Sequence, residues 1–246
     1  MGSIRSNYFH RGFNFTLLLK TKDHFPILDI IYENKDYIVV NKTAGRISEL
    51  SSYEPITTES LTLAHLLKSK PKPFIGVIHR LDRVTSGVLI FAKNKSNLVA
   101  FNRLFYNRKV QKTYLAIVKN KPPKKSGVLI NYLKKNNAEK KAEVQLSQSN
   151  EAKESILSYK LIDQNDFGYL LEVKPKSGRF HQIRVQLAHV GSPILGDVKY
   201  GADDEYKRLS ICLHAWKITF PTSLGESKIT YSAPLPQDKL WKFDSI

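Results

Sequence analysis

The chain lacks the features that stabilise secreted and membrane-embedded proteins. It has one cysteine among 246 residues, Cys212, so no disulfide can form within the chain. It also has no apolar run near the roughly eighteen residues that a spanning helix requires. We therefore expect a cytoplasmic protein that does not span a membrane, since a single cysteine fits a reducing compartment.

Acidic residues are scarce relative to basic ones. The chain has 22 Asp and Glu against 39 Lys and Arg, which gives a formal net charge of +17. So much positive charge, in a composition that is 41% hydrophobic and 11% aromatic, indicates a folded protein with a polyanionic partner. Nucleic acid is the first candidate, and an anionic membrane surface is the second.

The length and composition predict one main domain with an appendage, because 246 residues can bury one substantial core. We predict a basic N-terminal arm at residues 1–30 and a folded domain at residues 31–246. The arm has no acidic residue before Asp23 and carries a short apolar run, so it could also be an organelle transit peptide. A poorly ordered arm is the interpretation that we favour.

A charge-dense turn separates two apolar runs in the first half of the chain. Residues 76–78 and 88–91 are rich in β-branched and aromatic side chains, so we predict two buried strands. Between the strands, Asp82 stands between Arg80 and Arg83. Two nearby cations lower the pKa of a carboxylate, which leaves it ionised and suited to nucleophilic or base work. A purely structural ion pair would show the same local pattern.

Residues 79–87 resemble the active-site motif of the RluA-type pseudouridine synthases, which is His-Arg-Leu-Asp-Arg, any residue, Thr-Ser-Gly. Nine residues of mostly polar sequence make a specific signal. Further matches follow in the order of the family's motifs, at residues 32–42, 112–114, 177–184 and 193–201. The resemblance extends over about residues 31–244. It implies that residues 31–246 form a pseudouridine synthase catalytic domain.

The resemblance implies three catalytic residues. Asp82 would be the nucleophile, Tyr114 would pack against the target uracil and assist proton transfer, and Arg184 would pair with Asp82. Five further residues are implied to contact the RNA or the uracil: Arg80, His79, Arg83, Ile183 and Arg179. We expect the Arg80 side chain to point to the same side as Asp82 and to fill the gap left by a flipped-out nucleotide.

The implied activity is the isomerisation of a uridine in structured RNA, ribosomal or transfer, to pseudouridine. The implied enzyme is a monomer whose partner is RNA. It needs no cofactor or metal, because uracil itself is both the leaving group and the returning nucleophile. Whether Asp82 attacks C1′ of the ribose, attacks C6 of the uracil or assists elimination at C2′ stays open at this point.

The predicted fold is α+β, because hairpin-forming strands dominate the order of elements. The resemblance adds a mostly antiparallel, bifurcated mixed sheet flanked by helices. Residues 119–141 are rich in lysine and are predicted as a hairpin arm that contacts phosphates or solvent. We expect Lys42 to face solvent, and residues 177–179 to open a helix whose backbone N–H groups are free for an anion.

Two other classes of protein remain as alternatives. The first is a non-catalytic RNA-binding or ribosome-assembly module with the same fold. The second is a metal-dependent hydrolase that acts on RNA, although no histidine or cysteine pair has a recognised zinc spacing. A turnover assay separates the first alternative from an enzyme, and bound-metal analysis tests the second.

Overall fold

A computed structural model describes residues 26–222 and 227–246. The strands within these residues are β1 Asp29–Glu33, β2 Tyr37–Lys42, β3 Gly76–Val77, β4 Ser86–Ala92, β5 Gln111–Val118, β6 Ser126–Asn136, β7 Lys141–Gln145, β8 Lys153–Asn165, β9 Gly168–Pro175, β10 Leu213–Pro221 and β11 Lys228–Ser232. The α-helices are α1 Thr58–Leu67, α2 Lys95–Tyr106 and α3 Gln182–His189, and the short 3-10 helices are Val198–Tyr200 and Lys239–Trp241.

These strands form one 11-stranded sheet. Its main path runs β1-β2-β4-β10-β5-β9-β8-β6-β7, while β3 pairs with β4 and β11 pairs with β10. The pairing of β4 with β10 is parallel, and the other pairings in the described part of the chain are antiparallel. The predicted α+β class and mostly antiparallel mixed sheet are confirmed.

The sheet branches where β4 meets β10. Ser86 and Gly87 at the start of β4 pair with His214 and Ala215, whereas the later part of β4 pairs with β3 and the later part of β10 pairs with β11. Gly87 has a φ of 114°, and a Cβ there would lie 2.2 Å from the Ala215 carbonyl oxygen. Only glycine permits this close approach, so the branch fixes the end of the loop that carries Asp82.

The central strands are buried on both faces. Along β2, Ile38 and Val40 pack into the main core, while Val39 packs into a second cluster on the opposite face. The helices α1 and α3 contribute to the main core, and Phe101 of α2 covers the second cluster. Leu187 of α3 is fully buried, so α3 is anchored beside the sheet by apolar packing.

The lysine-rich segment forms a hairpin, as predicted, with β6 and β7 paired from Tyr132 to Asn136. The hairpin packs on α3 through a small cluster of Leu133, Ala142 and Val185. A second hairpin is formed by β8 and β9, which the turn at residues 165–168 connects.

The helix predicted to open at residues 177–179 begins later, at Gln182. The Gln182 side chain accepts the backbone N–H of Arg179 at 3.2 Å, while the Gln182 N–H donates to the Arg179 carbonyl. The prediction of a free backbone N–H for an anion at Arg179 is therefore wrong, because a side-chain amide occupies that donor.

Two observations concern the ends and the surface of the chain. None of the described helices has the length and apolar character needed to cross a membrane.

Of the predicted basic arm, residues 1–25 lie outside the described residues, and β1 begins at Asp29, shortly before the predicted start of the domain.

Candidate active site

Asp82 lies on the loop between β3 and β4, immediately before the branch of the sheet. Two hydrogen bonds to the neighbouring Leu81 hold this loop: the Ser48 hydroxyl donates to the Leu81 carbonyl at 2.8 Å, and the Leu81 N–H donates to the same hydroxyl at 3.0 Å. The Thr85 N–H closes the turn on the Asp82 carbonyl at 3.1 Å. The Asp82 side chain is 29% exposed, so a substrate can reach the carboxylate from one side.

The residues that flank Asp82 in sequence do not surround its carboxylate. Arg80 pairs with Glu49 at 2.5 Å, and its side chain is 65% exposed. Arg83 pairs with Glu54 at 2.7 Å and donates to a backbone carbonyl. Both guanidinium groups therefore satisfy surface acids, because an irregular loop does not keep the alternation of a strand.

The predicted lowering of the Asp82 pKa is wrong. Burial raises the pKa of Asp82, and the charges of Arg184 and Lys42 oppose that shift. The error came from assigning the local positive charge to Arg80 and Arg83, when the cations that act on Asp82 lie far away in sequence.

Arg184 is the cation closest to the Asp82 carboxylate, as the resemblance implied. Its Nη1 lies 3.6 Å from Asp82 Oδ2. Its Nε and Nη2 donate to the two oxygens of Asp197, each at 2.7 Å, and both side chains of this pair are buried. The guanidinium also lies over the ring of Tyr200, 4.9 Å from its centroid. Asp197 thus orients Arg184 toward Asp82, a role that the sequence did not predict.

His181 is a further neighbour of the carboxylate that the sequence interpretation did not select. It has a φ of 51°, a left-handed conformation that side chains rarely adopt, and its Nε2 lies 3.9 Å from Asp82 Oδ2. Its Nδ1 lies 2.8 Å from the Tyr200 hydroxyl, which accepts the Ala142 N–H at 2.7 Å. Burial and the charge of Arg184 lower the pKa of His181 to about 3, so the ring is neutral at neutral pH.

The tautomer of His181 follows from its partner. The Tyr200 hydroxyl accepts one hydrogen bond from the backbone and has its own hydrogen available for Nδ1. On this arrangement we assign the ring hydrogen of His181 to Nε2, which faces Asp82. The only sequence signal for His181 was its position within the matched segment at residues 177–184.

Tyr114 is buried on β5, whose neighbour β10 pairs with the start of β4. Burial and the charge of Asp82 raise the pKa of Tyr114, so its hydroxyl keeps its proton at neutral pH. Ile183 is also buried and belongs to the main core beside Arg184. Tyr114 and Arg184, whose charges or polarity act with Asp82, are therefore carried by different elements, the strand β5 and the helix α3.

The remaining two implied RNA-contacting residues, His79 and Arg179, differ in their exposure. His79 packs against Phe105, with ring centroids 5.3 Å apart, and its Nε2 accepts the Ile90 N–H at 3.2 Å. Burial lowers the pKa of His79 to about 3, which fits a neutral ring that supports the loop from within. Arg179 is exposed just before α3.

Lys42 was expected to face solvent, and that prediction is wrong. Its side chain is fully buried, and its Nζ donates to the carbonyls of Thr43, Arg46 and Arg83 at 3.1, 2.7 and 3.1 Å. Burial lowers the pKa of Lys42 to about 7, and the charge of Asp82 opposes that shift. Lys42 therefore ties the turn after β2 to the residue that follows Asp82.

We expect Lys42→Met to lower the free energy of unfolding by about 3 kcal/mol, because it leaves three carbonyls of the loop without this donor. We also expect slower turnover, since the Asp82 loop loses its anchor. Thermal unfolding and single-turnover rates measure the two effects.

The matched control is Lys93→Met, which removes a largely buried lysine that donates to Glu33 and to the Asn34 carbonyl. It should lower stability without changing turnover of the remaining folded protein. If Lys42→Met, like Lys93→Met, keeps the wild-type turnover rate per folded molecule, then Lys42 has no role at the active site.

The chemistry of the site is that of one accessible carboxylate. In the described part of the chain, the other carboxylate beside Arg184 is Asp197, which is 1% exposed and has both oxygens engaged. Hydrolysis by paired carboxylates requires two that the substrate can reach. Within the same residues, no group of three or more His, Cys, Asp and Glu side chains is placed to hold a metal ion.

One accessible aspartate, Asp82, thus lies on the loop at the branch of a mostly antiparallel mixed sheet. A family model described as RNA pseudouridylate synthase matches residues 36–189, which include Asp82, Tyr114 and Arg184. The chain belongs to the RNA pseudouridine synthase family, to its RluA-type members, and is an RNA pseudouridine synthase enzyme.

Named relatives agree with this assignment. The chain is 35% identical to the ribosomal large subunit pseudouridine synthase D of Borreliella burgdorferi, over 77% of this chain and 60% of that protein. It is 33% identical to the tRNA pseudouridine synthase C of Haemophilus ducreyi, over 85% of this chain and 92% of that protein. The fold matches human RNA pseudouridylate synthase domain containing 1 with a TM-score of 0.71, at 24% identity, over 91% of this chain and 93% of that one.

Proposed function

We propose that this enzyme isomerises a uridine within structured ribosomal or transfer RNA and that Asp82 is the nucleophile. The observation that carries the proposal is the position of the Asp82 carboxylate, reachable from one side and 3.6 Å from the buried Arg184 guanidinium. Arg184 favours the ionised carboxylate against the cost of burial, which is the condition for nucleophilic attack.

The proposed reaction breaks the N1–C1′ bond of the uridine and forms a C5–C1′ bond. The C5 proton is lost, and N1 gains a proton, so the product is an isomer of the substrate. Tyr114 keeps its hydroxyl proton and is influenced by the charge of Asp82, which suits a role in these proton transfers.

Base flipping is part of the proposal. Asp82 lies in a partly buried loop, and a base that is detached and turned cannot remain in a stack. The net charge of +17 supports binding of the RNA backbone, and the two relatives named above are designated for ribosomal and transfer RNA.

Pseudouridine mapping across total RNA, in cells with and without the gene, tests the proposed function. We expect at least one pseudouridine to disappear with the gene and to return with the wild-type gene but not with Asp82→Asn. A map that is the same with and without the gene would contradict the proposal. The class of RNA that loses a pseudouridine, transfer or ribosomal, identifies the substrate class.

We also propose that Arg80 fills the gap that the flipped nucleotide leaves. Its side chain is 65% exposed and bound to the surface residue Glu49, so it is free to exchange this partner for RNA. A planar guanidinium can stack on bases while it bonds to phosphates.

We expect Arg80→Ala to lower kcat/KM at least about tenfold on a folded stem-loop, because unstacking costs a few kcal/mol there. The loss should be much smaller on an unstructured oligonucleotide that contains the same uridine. Arg83→Ala is the comparison, since Arg83 is a half-exposed arginine of the same loop with its own acidic partner. Any loss from a general contact of Arg83 with RNA should be the same on the two substrates. Equal losses on the two substrates would show that Arg80 does not assist flipping.

A further inference from the structure

A stack of two aromatic rings leads outward from the Asp82 carboxylate. His181 lies with its Nε2 3.9 Å from Asp82 Oδ2, and Phe180 stacks on His181 with ring centroids 3.8 Å apart and planes inclined by 19°. Phe180 is 37% exposed, which is unusual for a phenylalanine beside a catalytic group. The outermost ring of the stack, Phe180, is therefore apolar and open to solvent. One ring, that of His181, separates it from Asp82.

Positive charge surrounds this ring. The Nζ of Lys135 lies 5.0 Å from the Phe180 centroid, and Arg179 is the preceding, exposed residue. Both cations are without an acidic partner within 4 Å among the described ion pairs. An exposed aromatic face flanked by basic side chains is how proteins bind single-stranded RNA, with the base on the ring and the phosphates on the cations.

The hairpin that carries Lys135 is held at the site. Lys135 pairs in the sheet with Ala142, whose N–H donates to the Tyr200 hydroxyl, and that hydroxyl bonds to His181. The cation and the ring stack are thus connected to each other through backbone and side-chain hydrogen bonds. This connection holds the strand that carries Lys135 close to the ring stack.

We propose that Phe180 is a stacking platform for a nucleobase that neighbours the target uridine, with Lys135 and Arg179 binding the adjoining phosphates. The inference rests on the proposed function and adds a second nucleotide-binding position to it. The Lys135 ammonium lies over the Phe180 ring. A base displaces it, since stacking on an aromatic ring is stronger than an exposed cation–π contact, and the freed ammonium reaches a phosphate.

The test measures binding of two probes to the full chain by fluorescence anisotropy. One probe is a short labelled oligouridylate. The other is the same oligonucleotide made abasic at every position except the central uridine. We expect Phe180→Leu to weaken binding of the first probe about tenfold and to leave binding of the second unchanged, because the lost contact is with a neighbouring base. Phe180→Trp should retain the affinity of the wild type for both probes.

Phe167→Leu is the matched control. Phe167 is also 37% exposed and has a lysine, Lys239, 5.2 Å from its ring, but it lies on the turn between β8 and β9. Its replacement should change neither affinity.

Three results would overturn the inference: wild-type affinity of Phe180→Leu for oligouridylate, equal weakening on both probes, or no binding of oligouridylate by the wild type. The proposed function fails separately, only if the cellular map shows no pseudouridine that depends on the gene.

Discussion

Asp82→Asn is expected to reduce pseudouridine formation by at least about 10⁴-fold, because the neutral amide cannot act as the nucleophile. Binding of RNA should persist, since the amide keeps the size of the side chain and the basic surface is unchanged. Mass spectrometry of nucleosides from a single-turnover reaction measures the product. Asp163→Asn, the same change at a partly exposed position of β8, is the control and should leave the rate unchanged.

We also expect a definite direction for the change in stability that Asp82→Asn causes. Burial raises the pKa of Asp82, which means that the folded state disfavours the ionised carboxylate relative to the unfolded chain. A neutral side chain removes this cost, so the melting temperature of Asp82→Asn at neutral pH should equal or exceed that of the wild type. Retained turnover would eliminate Asp82 as the nucleophile, and a large loss of stability would show that the carboxylate is mainly structural.

The second large effect is expected at Arg184. Replacement by glutamine leaves Asp197 charged and 1% exposed without its bidentate partner, so we expect the free energy of unfolding to fall by about 3–5 kcal/mol. Turnover should be lost as well, because Asp82 loses its nearest cation. Urea unfolding and single-turnover rates measure the two quantities.

The double variant Arg184→Gln/Asp197→Asn separates the structural role from the catalytic one. Two neutral side chains can share a hydrogen bond in the buried site, so we expect most of the lost stability to return. Turnover should not return, since Asp82 still lacks the Arg184 guanidinium. If activity recovers together with stability, then Arg184 acts only by holding the fold.

Much of the fold could be predicted from local pattern. The apolar runs that became β2 and β4 are continuous, as expected of strands that are buried on both faces, and the apolar residues of α2 recur at a spacing of nearly four residues. Turn-forming residues mark the hairpin of β8 and β9. The boundary of α3 was predicted less well, because the Gln182 side chain, which lies inside the helix, binds the segment before it. Local pattern describes which face of an element is apolar, but it contains little about how a particular end is capped.

The sequence by itself identified the proposed nucleophile and the order of the motifs, since Asp82, Tyr114 and Arg184 were all implied by resemblance. Only the tertiary structure decided what surrounds the carboxylate. Lys42 is buried beneath the loop, and Asp197 orients Arg184.

The same distinction explains the errors at Arg80 and Arg83. Their neighbours in sequence suggested that they set the charge of Asp82, whereas in the structure they bind Glu49 and Glu54. Electrostatic interactions depend on distances between side chains and on burial, and in an irregular loop neither follows from the spacing of residues along the chain.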